Sequence, residues 1–415
     1  MADFHQNGNI AQFHNLRSRP IEELEYELET YCASRKLSLI LPSLYSELEA
    51  PALGQILDEL SKVKYLHRVI IGLDAADEKQ FRMARDYFDR LPHEHVVLWN
   101  DSPRMKALGQ RLNDMGLGPI EDGKGKNVWT CLGYLIGCAD SAVMAIHDCD
   151  ITTYHREMLA RLVYPVVNPN FSYQLSKGFY PRIGGGKLNG RASRLLVSPL
   201  LIALKRVIGD HDYIDYLRAF RYPLSGEFAL RTAMLPDLRI PSDWGLEIGV
   251  LSEAWRNLGR HAVCQVEIAD AYDHKHQSVS PDDASRGLNR MSADICKAIF
   301  RKLAAEGTVF TSDIFRTLKA TYYRRALDLL EDYANDAQMN GLIVDRHGEE
   351  RTIELFAENV VRAGQAFLEN PNETPFIANW SRVHAADPGF IPALRAAAAE
   401  DEAEFAPITF QAAAD

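Results

Sequence analysis

The sequence predicts an α/β protein built on a doubly wound, mostly parallel sheet with helices on both faces, followed by a helical C-terminal extension. Three observations lead there. Short apolar runs alternate with amphipathic stretches between residues 37 and 147. The acid-x-acid triplet Asp148-Cys149-Asp150 closes the last of these runs. From about residue 290 onward the pattern is almost entirely helical. Strands linked through helices run parallel, and such sheets carry helices on both faces.

The elements follow in order. Residues 1–19 are polar and read as a loose leader. Pro20–Ser34 reads as a helix, with proline near its first turn where its missing N–H does no harm. Leu37–Leu41 is an apolar strand. Ala50–Val63 is a helix with Leu53, Ile56, Leu57 and Leu60 on one face. Arg68–Leu73 and His95–Trp99 are strands, separated by the helix Asp77–Leu91 and followed by the helix Ser102–Met115. Lys126–Cys138 is a helix, and Ala142–His147 is the strand that ends in the triplet. Residues 165–290 are mixed, with strands at Ser172–Pro181 and Ala262–Ala271 and helices at 190–208 and 250–258. The extension holds helices at Ala293–Ala305, Thr311–Gln338, Glu354–Glu369 and Ile391–Glu404.

A chain of 415 residues can bury a full core. Its net charge of -11 argues against a broad nucleic-acid surface, which needs a basic footprint. A local cationic patch at Arg182, Lys187, Arg191 and Arg194 still suits a small anion. Six cysteines without CxxC or zinc spacing predict reduced thiols in a cytoplasmic protein. The first residues carry no signal-peptide pattern, and no apolar run is long enough to span a bilayer. Neither nucleic acid nor membrane is expected as a partner.

The chemistry is expected at the carboxyl ends of the strands, where doubly wound sheets bind ligands. On an extended backbone residues i and i+2 point the same way, so Asp148 and Asp150 face one spot. Two hard oxygen ligands there suit Mg²⁺ or Mn²⁺ carrying a diphosphate; turn acids after a strand look the same. Gly123-Lys124-Gly125-Lys126 precedes a helix and can approach a phosphate, or be a surface turn. It lacks the spacing of a Walker A loop. Gly184-Gly185-Gly186-Lys187 and Gly190-Arg191-Ala192-Ser193 put glycines, cations and a hydroxyl just before a helix, which makes an anion site or a flexible loop. Pro223-Leu224-Ser225-Gly226-Glu227 and Trp244-Gly245-Leu246-Glu247 each set a carboxylate beside glycine in an apolar frame, as functional and helix-capping acids both do. His274 follows the last strand, either as a plain polar group or as the completion of a metal site begun by Asp150.

Taken together and in this order, these motifs resemble one family, the glucosyl-3-phosphoglycerate synthases. The resemblance runs from Leu37 to about Gln277 and includes Pro42-Ser43-Leu44, Phe179-Tyr180-Pro181-Arg182 and Pro199-Leu200-Leu201. The helical tail, with Asn370-Pro371 and Pro375 to Trp380, is similar to the longer members. The resemblance implies a retaining GT-A glycosyltransferase of Rossmann-like fold, likened to enzymes that move glucose from a nucleotide-glucose, UDP-glucose first, to the 2-hydroxyl of 3-phosphoglycerate with Mg²⁺ or Mn²⁺. It implies donor contacts at Pro42, Ser43, Leu44, Ser46, Lys124, Asp148 and Asp150. It implies metal ligands at Asp150 and His274, and acceptor contacts at Gly190, Arg191, Ala192, Ser193 and His276. Leu224 and Glu227 would line the sugar site and Glu247 the reacting centre, orienting the acceptor for same-face attack. A homodimer is what the family suggests. The implied division is 1–35 leader and helix, 36–165 nucleotide-sugar half, 166–290 acceptor half and 291–415 extension.

Two departures leave questions open. Tyr45-Ser46-Glu47 stands where many members have Asn-Glu-Glu, which leaves uridine, adenosine and guanosine donors in play. Lys275-His276 stands where some relatives have Arg-Asn, at the acceptor side. Free glycerate as acceptor, a sugar nucleotidyltransferase and a catalytically silent nucleotide-sugar binder are the competing readings.

Overall fold

The computed structural model describes residues 6–118, 120–274, 283, 286–371 and 377–405. The first half alternates as the sequence predicts: β1 (Ala11–Phe13), α1 (Ile21–Cys32), β2 (Leu37–Leu44), α2 (Pro51–Leu60), β3 (Leu66–Asp74), α3 (Glu78–Phe88), β4 (Glu94–Trp99), α4 (Pro103–Asp114), α5 (Lys124–Cys138) and β5 (Val143–Ile146). Some helices begin where a side chain caps them. The Asp77 carboxylate accepts from the Gln80 amide at 2.8 Å, and the Ser102 hydroxyl from the Met105 amide at 3.1 Å.

The second half runs through α6 (Arg156–Val167), β6 (Leu175–Phe179), a hairpin of β7 (Ile183–Gly184) and β8 (Lys187–Leu188), and a π-helical turn, Ala192–Val197, that leads into α7 (Ser198–Ile208). Then come α8 (Asp212–Ala219), β9 (Phe228–Arg231), α9 (Leu246–Asn257) and β10 (Val263–Glu267). The extension consists of α10 (Gly287–Ala305), α11 (Ser312–Met339), α12 (Arg346–Glu369), α13 (Trp380–Ala386) and α14 (Phe390–Glu404).

The eight-stranded sheet has the order β1-β10-β6-β9-β5-β2-β3-β4. Every neighbouring pair is parallel except the two that involve β9. The expected leader is corrected in part: Ala11 to Phe13 form an edge strand, with Gln12 opposite Gln265. Three residues are too short a run to stand out from a polar stretch. Helices α6 and α8 and strand β9 were not expected either. α5 starts two residues earlier than its periodicity suggests, which moves Lys124 from a loop into a helical turn.

Alternation along the strands fills two cores, as a period of two requires. Ile40 faces one core with Val128 and Leu132 of α5, whereas Leu39 and Leu41 face the other with Leu53 and Ile56 of α2. The extension packs into the first of these. Trp380 is 1% exposed and stacks on Trp129 of α5 with centroids 4.1 Å apart. Its indole N–H donates to the Trp129 carbonyl at 3.1 Å. Gly133 permits this approach, since a Cβ there would lie 1.9 Å from the Trp380 ring.

Candidate active site

The carboxyl ends of β2, β3, β5 and β6 lie along one edge of the sheet. β9 runs the other way, so its start lies at the same edge: Ile146 of β5 and Lys177 of β6 both stand opposite Phe228. The Pro223–Glu227 segment is thereby delivered to the Asp-x-Asp triplet. Gly226 is needed for that approach, because a Cβ there would lie 2.5 Å from an Asp148 carboxylate oxygen.

A cleft of about 720 Å³ opens at this edge. It brings together Lys124, Asp148, Leu224, Glu247, Gly190, Arg191, Ala192 and His274, all read from the sequence as site residues. The Lys124 ammonium sits 2.6 Å from Asp148 and 3.4 Å from Glu247. Burial works against its charge, but the two carboxylates outweigh that and raise its pKa above the ordinary lysine value. Burial likewise pushes the Asp148 carboxyl up, and Lys124 more than offsets it, leaving Asp148 below its usual range.

Asp150 behaves oppositely. Burial first, and the neighbouring Asp148 charge second, push its carboxyl up to about 7. His274 Nδ1 lies 3.7 Å from it. Two ligand bonds of about 2.1 Å each span at most about 4.2 Å, so one Mg²⁺ or Mn²⁺ fits between them. Among the described residues no three His, Cys, Asp or Glu side chains gather as a ligand cluster. The pair therefore suits an ion whose other ligands are phosphate oxygens and water, as Mg²⁺ prefers. Arg182 Nη1 lies 2.6 Å from His274 Nε2. Arginine only donates, so Nε2 accepts and the proton of a neutral ring is on Nδ1. An ion held at Nδ1 would take the place of that proton and leave Nε2 a donor, which could no longer accept from Arg182.

A pH effect follows. Because burial and the Asp148 charge push the Asp150 carboxyl up to about 7, its proton competes with a metal on the acid side of neutrality. Mn²⁺ affinity is expected to fall as pH drops from 8 to 6, with proton uptake on release. Titration calorimetry in buffers of different ionisation enthalpy checks this, and a pH-independent affinity would remove Asp150 from the ligand set.

Other expected residues are placed differently. Pro42, Ser43, Leu44 and Ser46 do not border the cleft; they occupy the end of β2 and the turn after it. There Glu47, noted in the sequence only as a departure, turns its carboxylate inward. It accepts from the Leu44 amide and the Ser43 hydroxyl, each at 3.3 Å. Burial, then the charges of Asp150 and Asp148, raise its pKa to about 7. Asp74 at the end of β3 stands beside Leu44 and was also missed.

Glu227 does not border the cleft, contrary to expectation. It is fully buried, its carboxylate accepting from Tyr180 at 2.6 Å and Tyr272 at 2.7 Å. Those rings stack 3.7 Å apart, and Tyr180 lines the cleft. Ser193 lies behind Ala192, buried, and its hydroxyl has no partner among the described residues. Arg194, part of the expected anion patch, is committed to an ion pair with Glu349 of α12 at 2.5 Å. His276 lies outside the described residues. Lys177 gave no signal in the sequence. It is buried below the 223–227 segment and donates to the Ser225 carbonyl, and burial lowers its pKa to about 8. Trp244, Asp345 and Glu349 also border the cleft; the last two come from the extension, which no local pattern connects to it.

No protein-family model matches the chain. The glucosyl-3-phosphoglycerate synthase of Persephonella marina is 43% identical over 404 residues, covering 97% of this chain and 100% of that protein. The enzyme of the same name from Methanococcoides burtonii is 36% identical over 389 residues, covering 92% and 95%. In structure, the chain is similar to glucosyl-3-phosphoglycerate synthase from Mycobacterium tuberculosis in complex with phosphoglyceric acid, with a TM-score of 0.52 at 22% identity over 71% of this chain and 88% of that one. A crystal structure of the same enzyme with Mn²⁺, UDP-glucose and phosphoglyceric acid gives a TM-score of 0.52 at 24% identity, covering 71% and 87%. These structural likenesses carry the fold: a mostly parallel GT-A sheet. Among the described residues no helix is long and apolar enough to cross a membrane.

Proposed function

The chain belongs to the glucosyl-3-phosphoglycerate synthase family, and from that premise we propose how its residues divide the work. The reaction is retaining transfer of glucose from UDP-glucose to the 2-hydroxyl of 3-phosphoglycerate, dependent on a divalent ion. The observation that carries the reading is that one cleft holds two cationic positions of different kind, Lys124 against its two carboxylates and Arg191 immediately before the π-helical turn.

Pro42, Ser43, Leu44 and Ser46 hold the uracil and ribose at the end of β2, with Asp74 beside them. Lys124, charged throughout the neutral range, meets the diphosphate, and Asp148 turns to the ribose. Asp150 and His274 would hold Mg²⁺ or Mn²⁺, which when bound would supply positive charge that makes the diphosphate a better leaving group. Leu224 and Gly226 border the glucose. Glu227 acts through Tyr180 and Tyr272, holding the cleft wall in place. Gly190, Arg191 and Ala192 take the carboxylate and phosphate of the acceptor, with Ser193 buried behind them. The acceptor oxygen forms its bond to the anomeric carbon on the face from which the diphosphate leaves. Its proton passes to the departing phosphate oxygen, so no protein base is consumed. Glu247 orients the acceptor hydroxyl.

We further assign 36–165 to the donor, 166–290 to the acceptor and 291–415 to the extension, with a homodimer that light scattering would check. A cytoplasmic location agrees with the six free cysteines.

The test is mass spectrometry of reactions with Mg²⁺, 3-phosphoglycerate and UDP-, ADP- or GDP-glucose. Glucosyl-3-phosphoglycerate with release of UDP is expected. Product from free glycerate alone would overturn the acceptor assignment. Arg191→Ala removes a charge-assisted contact worth about 1.5–3 kcal/mol, so the acceptor KM is expected to rise roughly 10- to 100-fold with little change in the donor KM. Steady-state kinetics with each substrate varied in turn reads this directly.

A further inference from the structure

The extension grips the acceptor turn through several side chains. Arg194, within the π-helical turn, donates to Glu349 of α12 through Nη2 at 2.5 Å and Nη1 at 3.3 Å. The two side chains are only 9% and 10% exposed. Arg194 also donates to the carbonyls of Asn189 at 2.8 Å and Leu188 at 3.1 Å. Tyr333 of α11 covers its guanidinium at 5.0 Å. Tyr322 of α11 donates to the Leu195 carbonyl at 2.5 Å, inside the same turn. Just before α12, the Ile343 amide donates to the Gly186 carbonyl at 2.9 Å, on the glycine hairpin.

A π-helical turn is rare, and its persistence needs partners that fix it. Here those partners come from helices far along the chain. The turn begins beside Arg191 and contains Ala192 and Ser193, so whatever fixes its shape also fixes where those residues stand. Arg194 itself is engaged by Glu349 and two carbonyls, which makes it a strut. Glu349 borders the cleft together with Gly190, Arg191 and Ala192.

We propose that Glu349 is a positioning residue for the acceptor: by holding Arg194 it sets the turn that presents Gly190, Arg191 and Ala192. The helical extension is thus a working part of the acceptor site. This rests on the acceptor reading of residues 190–193. The effect is selective, because neither Lys124 nor Asp150 touches this strut.

The experiment compares Glu349→Gln and Glu349→Ala with Arg191→Ala in the full chain, varying 3-phosphoglycerate and UDP-glucose separately. Binding of UDP with Mn²⁺, measured by calorimetry, reports whether the donor half of each variant is folded. Glu349→Ala is expected to raise the acceptor KM about tenfold or more, and Glu349→Gln by less, because it keeps the shape and loses the charge. The donor KM and UDP binding are expected to hold within about twofold. An unchanged acceptor KM in both Glu349 variants, alongside a raised one in Arg191→Ala, would overturn the proposal alone. A joint rise of both KM values with weakened UDP binding would overturn it too, by making the ion pair a general fold contact. An unchanged acceptor KM in Arg191→Ala would remove the acceptor reading, and this inference with it.

Discussion

Asp150→Asn is expected to lower kcat about 10³-fold at saturating substrates, the largest loss among single substitutions at the site. The change keeps the side-chain size and removes the charge. A divalent ion is worth several kcal/mol to charge developing on a phosphoryl leaving group, and about 4 kcal/mol corresponds to this factor. The geometry makes the loss hard to compensate. Asp148, the other acid of the triplet, is committed to Lys124 at 2.6 Å. Glu47 is tied back to the Leu44 amide and the Ser43 hydroxyl. With His274 as the one proposed ligand left, the ion would lack its anionic anchor. Turnover measured across Mn²⁺ concentrations, with calorimetry of Mn²⁺–UDP binding, checks this. A kcat within tenfold of the parent would show that the ion is held elsewhere. Treatment of the parent enzyme with a chelator is expected to give a similar loss, reversed by added Mg²⁺.

Trp380→Ala is expected to destabilise the fold by about 3–5 kcal/mol, the range for deleting a large buried aromatic side chain. Three contributions meet at this ring: its burial, the stack on Trp129 and the N–H bond to the Trp129 carbonyl. The cavity would open against Gly133, which has no side chain with which to fill it. α5 carries Trp129 and Gly133 in its middle and Lys124 at its start, so loosening the helix also loosens the diphosphate contact. Denaturant unfolding followed by tryptophan-independent circular dichroism reads the first effect, and the donor KM reads the second. A midpoint unchanged from the parent would mean that the extension is not packed on α5 as described.

The half proposed to bind the donor was readable because its signals are local. Leu37–Leu41, Arg68–Leu73 and His95–Trp99 are apolar runs with helices between them, and Asp148 and Asp150 share a strand end by the period of two. The acceptor half was not readable in the same way. β9 is four residues long, Phe228–Arg231, and nothing in its composition shows that it runs against its neighbours. Leu224 and Glu227 are three residues apart in sequence, yet one borders the cleft and the other is held behind it by Tyr180, just after β6, and Tyr272, in the segment after β10. Arg191 and Arg194 look alike in the sequence. Only the position of Glu349, 155 residues beyond Arg194, separates an acceptor cation from a strut.

The reversed strand has a consequence for how such an enzyme changes over time. Because β6 ends and β9 begins at adjacent ladder positions, with Lys177 opposite Phe228, residues 180–227 leave the sheet and rejoin it at one place. A segment anchored in this way can be exchanged or lengthened without re-registering any parallel strand. The proposed donor residues on β2, α5 and β5 lie outside it, and with Leu224 and Gly226 kept beside Asp148, new acceptors could be sampled by variation in the rest of one excursion. The limit on that freedom is the grip of α11 and α12: a transplanted excursion has to arrive with a matching partner for Arg194, so acceptor loop and helical extension are expected to diverge as a pair.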